Sequence, residues 1–232
     1  GPYRVGVLFA VDDESPDGFV GDDFEAQDGE SLRGLTGIVR AQRDIGSAAT
    51  FGLALLTRDT ESTAGRQGHN HVVGGDVEAN LGRFAVVEAA GFGSTTRTLT
   101  RKDLHGAAGR VRLAWEADSY RVQALWEHIA DDFRSESGFL TRLGYHRSFQ
   151  KFDAYYRSEN AWGRLISPGV YVDQYLSPTS GLTERITGGN TYWEFNGRVF
   201  VFPTIEHRRE FFEGRWLDGM RYRSSAGFNT FR

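Results

Sequence analysis

The feature that most constrains this chain is strict two-residue alternation of apolar and polar side chains over stretches of about ten residues. From Val72 onward, Val73, Gly75, Val77, Ala79 and Leu81 fall on one parity, and Val72, Gly74, Asp76, Glu78 and Asn80 fall on the other. Successive side chains of a β-strand point to opposite faces, so this segment reads as a strand with one apolar and one polar face. The pattern recurs where Val111, Leu113, Trp115 and Ala117 oppose Arg112, Ala114, Glu116 and Asp118. It recurs where Val122, Ala124 and Trp126 oppose Arg121, Gln123, Leu125 and Glu127, and where Leu35, Gly37, Val39 and Ala41 oppose Thr36, Ile38, Arg40 and Gln42. Strands are predicted at 3–11, 34–43, 47–58, 70–81, 83–94, 105–117, 119–129, 138–148, 150–158, 165–175, 190–197 and 199–212. Many exceed the common strand length of about 5–6 residues and approach the about 10 that a tilted strand needs to cross a bilayer.

Tight turns are predicted at Asp44–Ser47, Leu81–Arg83, Ala117–Ser119 and Ser148–Gln150, and longer polar stretches at 12–31, 59–68, 94–103, 131–137 and 177–189. Short turns at one end and longer loops at the other suit an antiparallel up-and-down meander. The fold class expected is therefore all-β: an antiparallel meander β-barrel, or an incomplete barrel segment, of about 10–12 strands. One β-barrel domain is expected over residues 1–232, as a fragment of a longer protein.

Composition separates two meanings of the alternation. Only 39% of residues are hydrophobic, and no run approaches the length of an apolar spanning helix. A transmembrane barrel escapes that limit because only every second strand residue must be apolar. Glycine (29) and aromatic residues (13%) are abundant and proline (5) is scarce, which suits hydrogen-bonded strands with interfacial aromatics. The apolar parity is rich in Gly and Ala; a soluble core built that way would hold voids, whereas lipid tails conform to small residues. The polar parity mixes signs. Arg40, Asp76, Glu78, Arg112, Glu116, Arg121, Gln123, Glu127 and Arg142 are candidates to line a lumen.

Three stretches carry a family likeness: Gly37–Gly46 followed by Phe51-Gly52-Leu53, then His69–Asp76, then Asp132–Tyr145 with its Asp-Phe-Arg and Gly-Phe elements. In this order and spacing they resemble an uncharacterised bacterial family of outer-membrane β-barrels that usually follow a family-9-like carbohydrate-binding domain. The resemblance spans roughly residues 30–215 and implies a barrel, the outer membrane of a Gram-negative-type bacterium, and a link to glycans. It implies no activity that can be carried over to single residues. The carbohydrate-binding domain is absent from this chain, and its last residue, Arg232, is not the aromatic on which such barrels commonly end.

The candidate chemistry stands beside simpler readings. Asp76 and Glu78 share a face, as do Glu116 and Asp118, at about 7 Å per two residues, a spacing that glycoside hydrolysis tolerates. Asp76, Glu78, Glu116 and Glu127 are thus the acid–base candidates, and solvated or paired lumen charges explain them equally well. His69 and His71 share a face and could begin a metal site, but no third ligand is evident. Trp115, Trp126, Trp162, Trp193, Trp216, Tyr155, Tyr156 and Tyr192 could stack sugars or form an interfacial girdle. No phosphate loop or nucleophile elbow is present. No cofactor is expected, and with no Cys and a net charge of −4 neither thiolate chemistry nor nucleic-acid binding is expected. The expected partners are a lipid bilayer, glycans, and other protein chains that close the barrel. Three functions remain open: a barrel segment serving structure, binding or transport; a glycan-active enzyme; and a soluble β-rich subunit that self-assembles.

Overall fold

The structure, a computed structural model, describes residues 2–12, 32–135, 142–158, 164–195 and 199–228. These form β1 (Tyr3–Asp12), β2 (Leu32–Ile45), β3 (Ala49–Ser62), β4 (Gln67–Leu81), β5 (Ala85–Arg97), β6 (Asp103–Glu116) and β7 (Tyr120–Ile129). There follow β8 (Tyr145–Ala154), the short β9 (Tyr156–Arg157), β10 (Leu165–Ser177), β11 (Gly181–Glu194), β12 (Val199–Phe212) and β13 (Arg215–Phe228). No helix occurs among the described residues. The strands hydrogen-bond in chain order into one 13-stranded sheet, with the short β9 off that path and paired with β10 beside β8. The all-β antiparallel meander expected from alternation is thus the observed fold. β1 and β13 stand at the two ends of the order and do not pair with each other, so the sheet is an open meander, not a closed barrel.

Several boundaries differ from the sequence expectation. Ser148-Phe149-Gln150 is no turn. It lies inside β8, paired with Gln174, Asp173 and Val172 of β10. The strand predicted at 138–148 begins at Tyr145; residues 138–141 lie outside the described set. The polar stretches at 59–68 and 94–103 shrink to tight turns, because their charged and hydroxyl residues continue the ladder: Thr60 pairs with Gly68 and Glu61 with Gln67. Residues 181–189 belong to β11, although Gly188-Gly189 made them read as loop. Gly188 is required there because the Tyr171 ring of β10 occupies the place of its side chain. β13 was not expected, since Leu217 and Asp218 interrupt its alternation.

The chain divides into two compact units. The first holds Gly1–Asn80, Glu88–Val111 and His128–Tyr145; the second holds Leu81–Val87, Arg112–Glu127 and His146–Arg232. In each, apart from the edge strands β1 and β13, which are exposed almost throughout, burial follows strand parity and runs opposite to a soluble core. In the first unit, Leu35, Val39, Phe51, Leu53, Leu55, Val73 and Val77 are exposed, with Leu53 at 54% and Val73 at 63%. The opposite parity hides Thr60, Ser62, Asn70, Ser94 and Thr96. In the second unit Trp126, Phe152, Val170, Trp193 and Ile205 are exposed, whereas Asp153, Ser167, Asp173, Glu184 and Asn190 are buried. On β4 the exposed apolar parity runs from Val73 to Leu81, about 26 Å at about 3.3 Å per residue. The apolar band of a transmembrane barrel is about 25 Å tall.

Candidate functional site

The covered, polar parity carries most of the chemistry. In the second unit it is a ladder of ion pairs on β8 and β10–β13. Arg147 Nε and Nη2 donate to Asp173 Oδ1 and Oδ2 at 2.9 and 2.8 Å, and the guanidinium lies 5.3 Å from the Tyr175 ring centroid. Lys151 meets Asp153 at 3.0 Å, and Arg208 meets Glu184 at 2.9 Å. Tyr171 Oη and Arg223 Nη2 both donate to Glu206 Oε1, at 2.5 and 2.6 Å. Removing a carboxylate from water is costly unless a cation and hydrogen bonds replace the lost solvation. Each of these carboxylates has such a partner. A cavity of about 590 Å³ opens among Phe149, Lys151, Tyr171, Asn190, Phe202 and Arg223. Its aromatic faces and mixed-sign polar groups suit a polar solute that has an apolar face.

Because Asp173 is only 8% exposed, Asp173→Ala would leave the Arg147 guanidinium without its bidentate partner. The expected loss is about 2–3 kcal/mol, below the about 3–5 of a fully buried pair because Arg147 keeps some water. Urea unfolding of wild type and variant under identical conditions measures it. A loss under about 0.5 kcal/mol, typical of exposed pairs, would refute this account.

In the first unit the segment 130–135, which follows β7, folds back against the covered faces of β4–β6. Asn70 Nδ2 donates to Thr96 Oγ1 at 2.7 Å and to the Arg134 carbonyl at 3.1 Å, and Arg134 N donates to Ser94 Oγ at 3.1 Å. Phe133 is buried in a small apolar cluster with Val72 and Ile129, packed by Leu56 and Phe92. The buried amide and hydroxyls thus hold a loop backbone whose polar groups would otherwise be unsatisfied.

The sequence candidates distribute as follows. Arg40 and Asp76 are joined at 2.7 Å across the intervening strand β3. Small residues at the intervening positions, Gly52 and Ala54, let the guanidinium cross, and the Asp76 carboxylate lies directly over Gly52. Glu78 shares the parity of Asp76 but is exposed. Arg121 lies 3.7 Å from Glu116. Gln123 lies against Arg112 and Arg121, and with its amide rotated so that the oxygen faces them it accepts from both, at 3.2 and 2.9 Å. Glu127 has the parity of Arg121 and Gln123 on β7. Arg142 precedes β8 and lies in no strand, so strand parity does not place it on the lumen face. Asp118 sits in the turn between β6 and β7, not beside Glu116 on a strand; its carbonyl accepts from Arg157. Asp76 and Glu78 belong to one unit, Glu116 and Glu127 to the other. His69 and His71 stack at 4.8 Å on the exposed parity, and no group of three or more potential metal ligands occurs among the described residues. Trp162 lies outside the described residues.

Sequence reasoning missed Tyr171, Glu206 and Arg223, and with them Asn70, Ser94 and Phe133. The alternation of Tyr171, Asp173 and Tyr175 was a usable signal for the first group. Comparison with protein-family models, curated proteins and solved structures finds no match.

Proposed function

We propose that this chain is part of the wall of an outer-membrane β-barrel, with its exposed apolar parity against lipid and its paired-charge parity toward an aqueous interior. There it binds or passes small polar solutes. The observation that carries this reading is the inverted burial: Val73, Leu53, Val170 and Ile205 are exposed while Asn70, Asp173, Glu184 and Asn190 are covered. Contiguous exposed apolar surface of this extent marks an interaction or membrane face. Lipid tolerates no unpaired strand edge, so the reading requires that β1 and β13 each find a strand partner. The resemblance to barrels that accompany carbohydrate-binding domains makes glycans the first solute class to test.

Extraction provides the test. The chain should partition with membranes, need detergent to remain in solution, and run on unboiled gels at a different mobility from the boiled sample. A monodisperse monomer in detergent-free buffer at high concentration would overturn the proposal. The open edges of β1 and β13 favour one alternative, a soluble subunit that self-assembles by edge pairing. That alternative gives detergent-free oligomers of regular size.

A further inference from the structure

A second cavity, of about 910 Å³, lies between two turns of the first unit and is lined by Arg66, Arg97, Arg101, His69, Gly65 and Thr100, among others. It sits at the end of the exposed parity, where Gln67 and His69 of β4 and Arg97 of β5 stand above the apolar positions. The two turns are built alike. In one, Ser62 accepts through its backbone oxygen from Gly65 and through Oγ from Arg66 N. In the other, Thr98 accepts from Arg101 N and, through Oγ1, from Lys102 N. The equivalent position is left-handed in both, Gly65 at φ 76° and Arg101 at φ 64°. Glycine adopts that conformation without steric cost and arginine does not. A strained residue whose side chain lines a cavity points to a use for that side chain.

The cations here outnumber the carboxylates. Among the described residues, three arginines and no carboxylate line the cavity. Asp103 is taken up by Arg97 through both oxygens, at 2.8 and 3.2 Å, and Asp59 and Glu61 lie on the neighbouring strand β3, opposite His69 and Gln67. Below the cavity, on the same parity of β5, Gly93, Gly91 and Ala89 make a low strip. A Cβ at Gly91 or Gly93 would meet nothing within 4 Å. A cationic recess above a smooth apolar strip has the shape of a phosphorylated lipid.

We propose that this cavity binds the phosphate headgroup of a bilayer lipid through Arg97, Arg101 and Arg66, with the acyl chains lying along Gly91 and Gly93. The proposal rests on the lipid-facing reading of the exposed parity. Guanidinium–phosphate hydrogen bonds are charge-assisted, so they favour the anionic phosphomonoester of phosphatidic acid over phosphocholine, whose phosphate charge is balanced by its own ammonium.

The test uses the full chain in a neutral maltoside detergent, mixed with equal amounts of dioleoyl phosphatidic acid and dioleoyl phosphatidylcholine. Lipid retained after gel filtration is then quantified. Wild type should enrich phosphatidic acid about tenfold, as expected for one strong charge-assisted contact. Arg101→Gly should abolish most of that preference while its urea midpoint stays equal or rises, since the variant relieves the left-handed strain. Gly93→Val should weaken retention of phosphatidic acid without changing affinity for glycerol 3-phosphate. No preference in wild type, or full preference in Arg101→Gly, would overturn the proposal. So would glycerol 3-phosphate binding as tightly as dihexanoyl phosphatidic acid, which would mark a free-anion site. Failure of the membrane reading shows separately, as a detergent-free monomer. Failure of this proposal shows as a detergent-bound chain indifferent to phosphate.

Discussion

On the proposed membrane reading, Leu53→Arg is expected to cost about 2–4 kcal/mol of folding free energy in phosphatidylcholine vesicles, the range for a cation at the lipid-facing midplane of a barrel. Leu53 is exposed on β3, flanked on its own face by Phe51 and Leu55, and paired across the sheet with Ala41 and Gly75. Nothing around it offers a carboxylate. The same change on a water-facing strand would stay within about 0.5 kcal/mol, because exposed substitutions away from special features are nearly neutral. The two environments therefore differ by several times the error of a urea titration. Thr57→Arg supplies the depth control. Thr57 lies on the same parity but opposite His71, at the margin of the apolar positions, where the cost should fall to about 0–1 kcal/mol. Equal and negligible effects at both positions would place this face in water and remove the membrane reading.

The contrast between these two positions also marks what alternation could and could not reveal. Parity along β2, β4, β6 and β7 was legible because each carries an apolar series on one face, as in Val73, Val77 and Leu81. Which parity faces outward is not encoded by alternation itself, which a sandwich and a barrel share; only the Gly and Ala of the apolar parity pointed it toward lipid. The pairing of Arg40 with Asp76 could be anticipated from charge and face. Its geometry depends on Gly52 and Ala54, whose importance appears only when the register of three strands is known. The first part of β11, residues 181–189, was hidden by Gly188-Gly189, because glycine punctuates loops more often than it makes room for a cross-strand tyrosine. The anchoring of Arg134 by Asn70 joins residues 64 positions apart, and no local pattern encodes such a contact. The buried Phe133 lay in a stretch whose charges and serines read as loop. It is a loop, but one folded onto the covered face.

That loop gives the second large effect. Gly106 of β6 has the covered parity, and a Cβ built there would overlap the backbone of Phe133 and the carbonyl carbon of Asp132. Backbone cannot swing aside as a flexible side-chain tip can, so Gly106→Val must displace the segment 130–135. Displacement breaks the hydrogen bonds of Arg134 with Asn70 and Ser94 and exposes Phe133, which is only 4% exposed in place. Burial of a phenylalanine is worth about 1.5–3 kcal/mol and each satisfied hydrogen bond about 1 kcal/mol. The segment should therefore change from mostly docked to mostly free without loss of the strands. Trypsin reports this directly at the Arg134–Ser135 bond, whose backbone is held on both sides of Arg134 in the wild type. Cleavage there should accelerate at least about tenfold in Gly106→Val, because proteolysis tracks the population of the open form. Asn70→Leu should produce a smaller acceleration in the same direction, since it removes two hydrogen bonds but leaves the Phe133 contact intact. Unchanged cleavage in Gly106→Val would mean that the segment is not held by this face. On the proposed barrel reading the docked segment covers the interior-facing parity of β4–β6. The same two variants should then raise the uptake rate of small polar solutes in reconstituted vesicles, in the order Gly106→Val above Asn70→Leu above wild type.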